Sequence, residues 1–110
     1  MKVSEIQCDA CRADAKRVSE DEKKQFISDL PDWSIVSEDG VEKLRRSFKF
    51  PDFVSALEFT NKVGALAEEF NHHPDIVTEW GKTTVTWWSH KIKGLHQLDF
   101  ALADKTQHLT

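Results

Sequence analysis

Four of the five histidines lie between His72 and His96, and three of these stand where structural elements meet. His72 and His73 are consecutive where a helical pattern gives way to a strand pattern, and Pro74 follows them. His90 lies just past the end of the last strand pattern. Asp99 falls in the first turn of a C-terminal helical pattern. Imidazoles titrate near neutral pH and act as either acid or base. Several of them with one carboxylate, beside tryptophans, suit acid–base chemistry on a flat polar ring. Each residue also has a plainer reading. Paired histidines at a helix end can cap its last carbonyls. His90 can be a strand-end surface residue, and Asp99 can simply favour a helix N-terminus. His96 and His108 read as surface positions without a role. Zinc could take three histidines and an aspartate, but neighbours on extended backbone point apart, whereas metal-binding pairs usually have helical or skip-one spacing. No metal is expected.

The elements around these residues can be read from spacing. Ser19 and Glu22 have capping-box spacing ahead of Phe26, Ile27 and Leu30, so a first helix is expected, stopped by Pro31. Trp33 and Ile35 open a strand, and Asp39-Gly40 is a hairpin signal. The return strand puts Leu44, Phe48 and Phe50 on one face, with Arg46 intruding on it by parity. Asp52 should cap a helix whose apolar positions, Phe53, Ala56, Leu57, Val63, Ala67 and Phe70, repeat with helical period. That helix should end near Asn71, because Pro74 drives His73 out of helical geometry. A second hairpin is expected from 76–80 and 83–89 with Gly81-Lys82 as its turn, then a helix from about His96 to Gln107. The order α-β-β-α-β-β-α predicts an α+β domain, a four-stranded antiparallel sheet with three helices on one face. The second hairpin would bring His72, His73 and His90 to one edge, with Asp99 nearby. Trp87 and Trp88 must face opposite sides of the sheet, one under the helices and one on the open face. An exposed tryptophan there suggests a subunit interface or ligand platform.

Length and composition narrow the function classes. A chain of 110 residues is one domain, with 31% charged and 39% hydrophobic residues in a soluble globular balance. The net charge of -4 argues against a nucleic-acid backbone as main partner. The apolar runs are too short for a membrane span, and the stretch through Lys16 lacks the apolar core of a secretory signal. Residues 1–18 read as a polar arm ahead of a domain at 19–110. Cys8 and Cys11 form a lone C-x-x-C in that arm, without the further ligands zinc needs or a thioredoxin-like strand–helix context. They are expected to be reduced thiols in a cytoplasmic protein.

The run Glu68-x-x-x-His72-His73-Pro74, then Trp80, Ser89-His90, Gly94-Leu95 and Asp99, resembles the signature of the pterin-4a-carbinolamine dehydratases. The upstream Trp33, the hairpin and Phe48-x-Phe50-Pro51-Asp52-Phe53 resemble that family too. The resemblance implies dehydration of 4a-hydroxytetrahydrobiopterin to quinonoid dihydropterin and water, which recycles the cofactor of aromatic amino acid hydroxylases. It implies a pterin substrate, a functional link to phenylalanine hydroxylase, no cofactor, and a homodimer or homotetramer using the open sheet face. It makes His72, His73, His90 and Asp99 the catalytic group. Glu68 would orient the histidine pair, and Asn71, Pro74, Trp88, Ser89 and Lys91 would line the pterin. Position 96 holds His where the family often has Thr or Ser as a helix cap. Some members of the family act instead as dimerisation partners of a transcription factor.

Overall fold

The computed structural model describes residues 16–110. Cys8 and Cys11 lie outside the described residues. Seven elements follow one another: α1 (Glu20–Ser28), β1 (Ser34–Glu38), β2 (Val41–Lys49), α2 (Phe53–Phe70), β3 (Asp75–Glu79), β4 (Lys82–Trp87) and α3 (Gln97–Gln107). The strands form one antiparallel sheet in the order β1-β2-β4-β3. This is the expected α+β architecture.

Local chemistry starts and stops the elements where the sequence indicates. Ser19 and Glu22 form a reciprocal capping box at α1, and Asp52 accepts from the Ser55 amide at α2. Asp39 and Gly40 both have positive φ, 54° and 78°, the geometry a tight hairpin between right-twisted strands requires. The second hairpin differs from expectation by one residue. Glu79 pairs with Lys82, so the turn is Trp80-Gly81 rather than Gly81-Lys82. Only Gly81 of these residues has positive φ, at 74°, so glycine occupies the second turn position and not the first. A Cβ there would also sit 3.1 Å from the Phe50 carbonyl oxygen, and the Gly81 oxygen accepts from the Phe50 amide.

The core lies between the sheet and α2 and α3. Leu44 and Phe48 of β2 with Val85 and Trp87 of β4 are buried against Phe59 and Val63 of α2 and Leu98 and Leu102 of α3. Trp87 is fully buried, and its indole N–H is satisfied by Thr106 Oγ1 at 3.0 Å. Arg46 does share this face. Its guanidinium lies 4.3 Å over the Phe48 ring and donates to Gln107 Oε1 at 3.0 Å, which also accepts from the Trp33 indole. The helix-free face is largely a polar ladder. Lys43 and Arg45 both meet Glu38, Arg45 Nε donates to Thr86, and Ser47 bonds Thr84. The large exposed apolar side chains are Phe53, Val54 and Leu57 of α2, Val77, and Trp80 in the turn. Among the described residues, no helix is long and apolar enough to cross a membrane.

The caps predict how acid acts on stability. The Ser19 amide holds the Glu22 carboxyl below its usual range, and the Ser55 amide does the same for Asp52. A carboxyl whose folded pKa is depressed adds stability above its unfolded pKa and loses it as pH falls through the folded value. The melting temperature should therefore fall as the pH drops below the ordinary carboxylate range. The double variant Glu22→Gln, Asp52→Asn, whose amides still accept the capping bonds, should show a shallower fall. Equal slopes would mean the caps contribute nothing to the acid response.

Candidate active site

Asn71 ends α2 in the left-handed region, with φ 49° and ψ 43°. The reversal lets the His72 amide donate back to the Ala67 carbonyl at 3.1 Å. His72 and His73 then leave on extended backbone ahead of Pro74, and their side chains diverge as expected. His72 turns inward. It is 8% exposed, its ring lies parallel to Trp87 at a centroid distance of 5.9 Å, and its Nε2 is 2.8 Å from Asp99 Oδ1. His73 turns outward and pairs through Nε2 with the Glu68 carboxylate. Glu68 thus bonds one member of the pair, not both.

Asp99 is the hub of the buried half. Its side chain is fully buried, yet both oxygens are occupied. Oδ1 meets His72, while Oδ2 accepts from Ser89 Oγ at 2.7 Å and from the His96 amide at 2.9 Å. A buried carboxylate needs such partners, since burial without them carries a large penalty. His96, expected at the surface, is 7% exposed and is the N-cap of α3. Its Nδ1 accepts from the Leu98 amide at 3.1 Å, and Asp99 closes the capping box. The signal was present in the sequence as an acidic residue three places after His96. Histidine hides it, because an imidazole can cap only through a ring nitrogen that carries no proton.

His90 sits on the loop after β4. That loop is closed by an isolated bridge between Ser89 and Gly94 and pinned from outside. Arg17 Nε donates to the Ile92 carbonyl at 2.7 Å, and the Val18 amide donates to Leu95. Gly94 leaves room for this contact, since a Cβ there would lie 2.8 Å from Arg17 Cδ. His90 Nε2–H donates to the His73 carbonyl at 3.3 Å, and its ring stacks on Trp88 at 3.9 Å. Trp88 stands on the open face, as parity requires, and donates its indole N–H to Asp75. Lys91 is exposed beside His90 on the same loop, and Pro74 is partly buried.

The fold therefore gathers His72, His73, His90, Asp99, Glu68, Ser89 and Trp88 at one end of the second hairpin. Asn71 serves first as the backbone reversal that aims His72. His96, Lys43 and Asp75 join this group without having been expected there. A cavity of about 420 Å³ between α1 and α3, floored by Phe26, Leu30 and Phe100, shares no residue with the cluster. Among the described residues, no three His, Cys, Asp or Glu side chains converge to hold a metal ion. What the cluster offers is proton exchange: two exposed imidazoles, and a third held from behind by a buried carboxylate.

Comparison with known proteins identifies the family. Residues 16–109 match the family described as pterin 4 alpha carbinolamine dehydratase. A protein of Nitrosococcus oceani named "Putative pterin-4-alpha-carbinolamine dehydratase" is 60% identical over 97% of this chain and 95% of its own. One of Hahella chejuensis with the same name is 55% identical over 91% and 89%. The crystal structure of a transcriptional coactivator/pterin dehydratase from Brucella melitensis superposes with a TM-score of 0.77 at 32% identity, covering 86% of this chain and 98% of that one. A pterin dehydratase-like protein identified as a RuBisCO assembly factor of the alpha-carboxysome shares the fold, with a TM-score of 0.59 at 20% identity over 70% of this chain and 87% of its own.

Proposed function

The chain belongs to the pterin 4 alpha carbinolamine dehydratase family, and from that premise we propose that it dehydrates 4a-hydroxytetrahydrobiopterin to quinonoid dihydropterin and water. The reaction breaks the C4a–O bond. An acid gives the leaving hydroxyl a proton, a base takes a proton from the ring, and no electrons are exchanged with a third party. Imidazoles at neutral pH do both. The observation that carries this reading is the way each of three imidazoles is held differently at one edge: His72 by buried Asp99, His73 by Glu68, and His90 by Trp88 and the His73 carbonyl. His72, His73 and His90 are the acid–base groups in this reading, with Asp99 bonded to His72. Glu68, Asn71, Pro74 and Lys91 surround the pterin in this reading, whereas Ser89, expected among them, is buried and gives its hydroxyl to Asp99.

The reading places the catalytic domain at 19–110, a product feeding the cofactor cycle of phenylalanine hydroxylase, a cytoplasmic setting, and self-association as a dimer or tetramer. The exposed apolar side chains that would support association are Phe53, Val54 and Leu57 of α2, Trp80 in the turn, and Val77, which through its pairing with Thr84 lies on the helix-free sheet face. The same side chains favour a second reading, a partner protein that regulates by association, as the Brucella neighbour's description includes coactivation. Stopped-flow dehydration of 4a-hydroxytetrahydrobiopterin by the pure protein separates them. An acceleration of roughly 10²-fold or more over the spontaneous rate is expected of positioned acid–base groups. No acceleration would leave the association reading standing.

A further inference from the structure

Trp88 has a neighbour on each side. On β2, Lys43 lies one place before Leu44, which pairs with Trp87, so Lys43 flanks Trp88 from the β2 side, and its Nζ is 4.4 Å from the ring centroid. From the β3 side, His90 stacks on the indole at 3.9 Å with an interplanar angle of 28°. The indole edge is tied as well, through Nε1–H to Asp75 Oδ2 at 3.3 Å. Lys43 is anchored in turn by Glu38 of edge strand β1 at 3.2 Å. A chain of contacts, Glu38–Lys43–Trp88–His90, thus runs from the far edge of the sheet to the candidate site. An ammonium is attracted to an indole face, and a ring held by a cation, a stacked imidazole and an edge hydrogen bond has little freedom to turn.

His90 needs such a support. It is exposed, it stands on a loop, and its one hydrogen bond among those described is the 3.3 Å contact with the His73 carbonyl. That bond fixes one ring nitrogen but leaves the ring plane free to rock. The stack on Trp88 fixes the plane.

We propose that Lys43 and Trp88 are positioning residues for dehydration, holding the His90 imidazole in its reactive orientation. This rests on the dehydratase reading. The test compares wild type with Trp88→Leu, Lys43→Met and Lys43→Arg. Its readouts are stopped-flow dehydration of 4a-hydroxytetrahydrobiopterin, melting temperature, and the NMR signals of the histidine ring protons. Stacking on an indole should shift the His90 ring protons upfield in wild type. Trp88→Leu should abolish that shift, leave the His72 and His73 signals in place, and lower kcat by about tenfold with KM little changed, since misplacing a reacting group by about 1 Å can lose up to 10²-fold. Lys43→Met should move both readouts in the same direction by less. Lys43→Arg should restore them, because a guanidinium also stacks on an aromatic face. A Trp88→Leu enzyme with unchanged kcat would overturn the proposal, as would a loss confined to KM, which would make Trp88 a substrate platform. His90 signals that do not respond to Trp88→Leu would overturn it too. A wild type that does not accelerate dehydration would instead overturn the dehydratase reading and the role in it together, an outcome distinct from an active wild type with indifferent variants.

Discussion

Asp99→Asn should slow dehydration by roughly 10²–10⁴-fold per folded molecule, the range expected when one acid or base is disabled. The reason is directional. Asp99 accepts at both oxygens, from His72 on one side and from Ser89 and the His96 amide on the other. An asparagine has one acceptor oxygen and one donor nitrogen. Placing its oxygen toward Ser89 and His96 keeps two bonds, but its NH₂ then faces His72 Nε2. His72 must present a lone pair there and move its proton to Nδ1, so the ring nitrogen left for chemistry changes from acceptor to donor. The opposite flip keeps His72 but leaves the Ser89 hydroxyl and the His96 amide facing a donor, in a site with no exposed surface. Folding should lose no more than about 1–3 kcal/mol, the usual penalty for an unsatisfied buried group. Activity corrected for folded fraction, set against the thermal melt, is the measurement. A variant that melts early but keeps its turnover per folded molecule would remove Asp99 from the chemistry.

The two adjacent histidines should separate in the same assays. His72→Ala removes a buried ring stacked on Trp87 and strands Asp99 Oδ1, so about 1–3 kcal/mol of stability should go with it. His73 is half-exposed, and its Glu68 partner is more exposed still, so His73→Ala should change stability by less than about 0.5 kcal/mol. Both should slow dehydration, each by no more than roughly 10²–10⁴-fold, and the double variant should approach the spontaneous rate. Because the rings point apart, the two single variants should weight the two 4a-hydroxyl stereoisomers differently. Wild-type rates in the double variant would end the catalytic role of the pair. Identical losses for both isomers in both variants would end only the idea that different imidazoles serve the two faces of the pterin.

Much of this arrangement is local and therefore legible in the chain. Ser19, Asp39-Gly40 and Asp52 act on neighbours within three residues, and the structure uses them as their spacing predicts. The meeting of His72, His73 and His90 follows from a single hairpin joining two sequence-adjacent strands. What escaped depends on competition between similar local signals or on pairing across strands. The turn moved to Trp80-Gly81 because only one of its residues needs positive φ. The resemblance marks position 96 as a cap, but histidine lies outside the usual capping set, so its type gives no sign that it takes that role. Lys43 reaches Trp88 across the β2–β4 pairing, whose partners are far apart in sequence, so no spacing rule points to it.

The bond from the His96 amide to Asp99 makes the start of the last helix and the buried half of the site one object. Whenever that first turn opens, the carboxylate loses one of its restraints and His72 loses its fixed neighbour. The exchange of this single amide proton with solvent deuterium is then a clock for the site. Its protection factor reports how rarely the Asp99 restraint opens, including openings far too brief to appear in a melting curve. A substrate analogue that engages His72 should slow that exchange, while leaving the amides at the far end of α3 at their own pace.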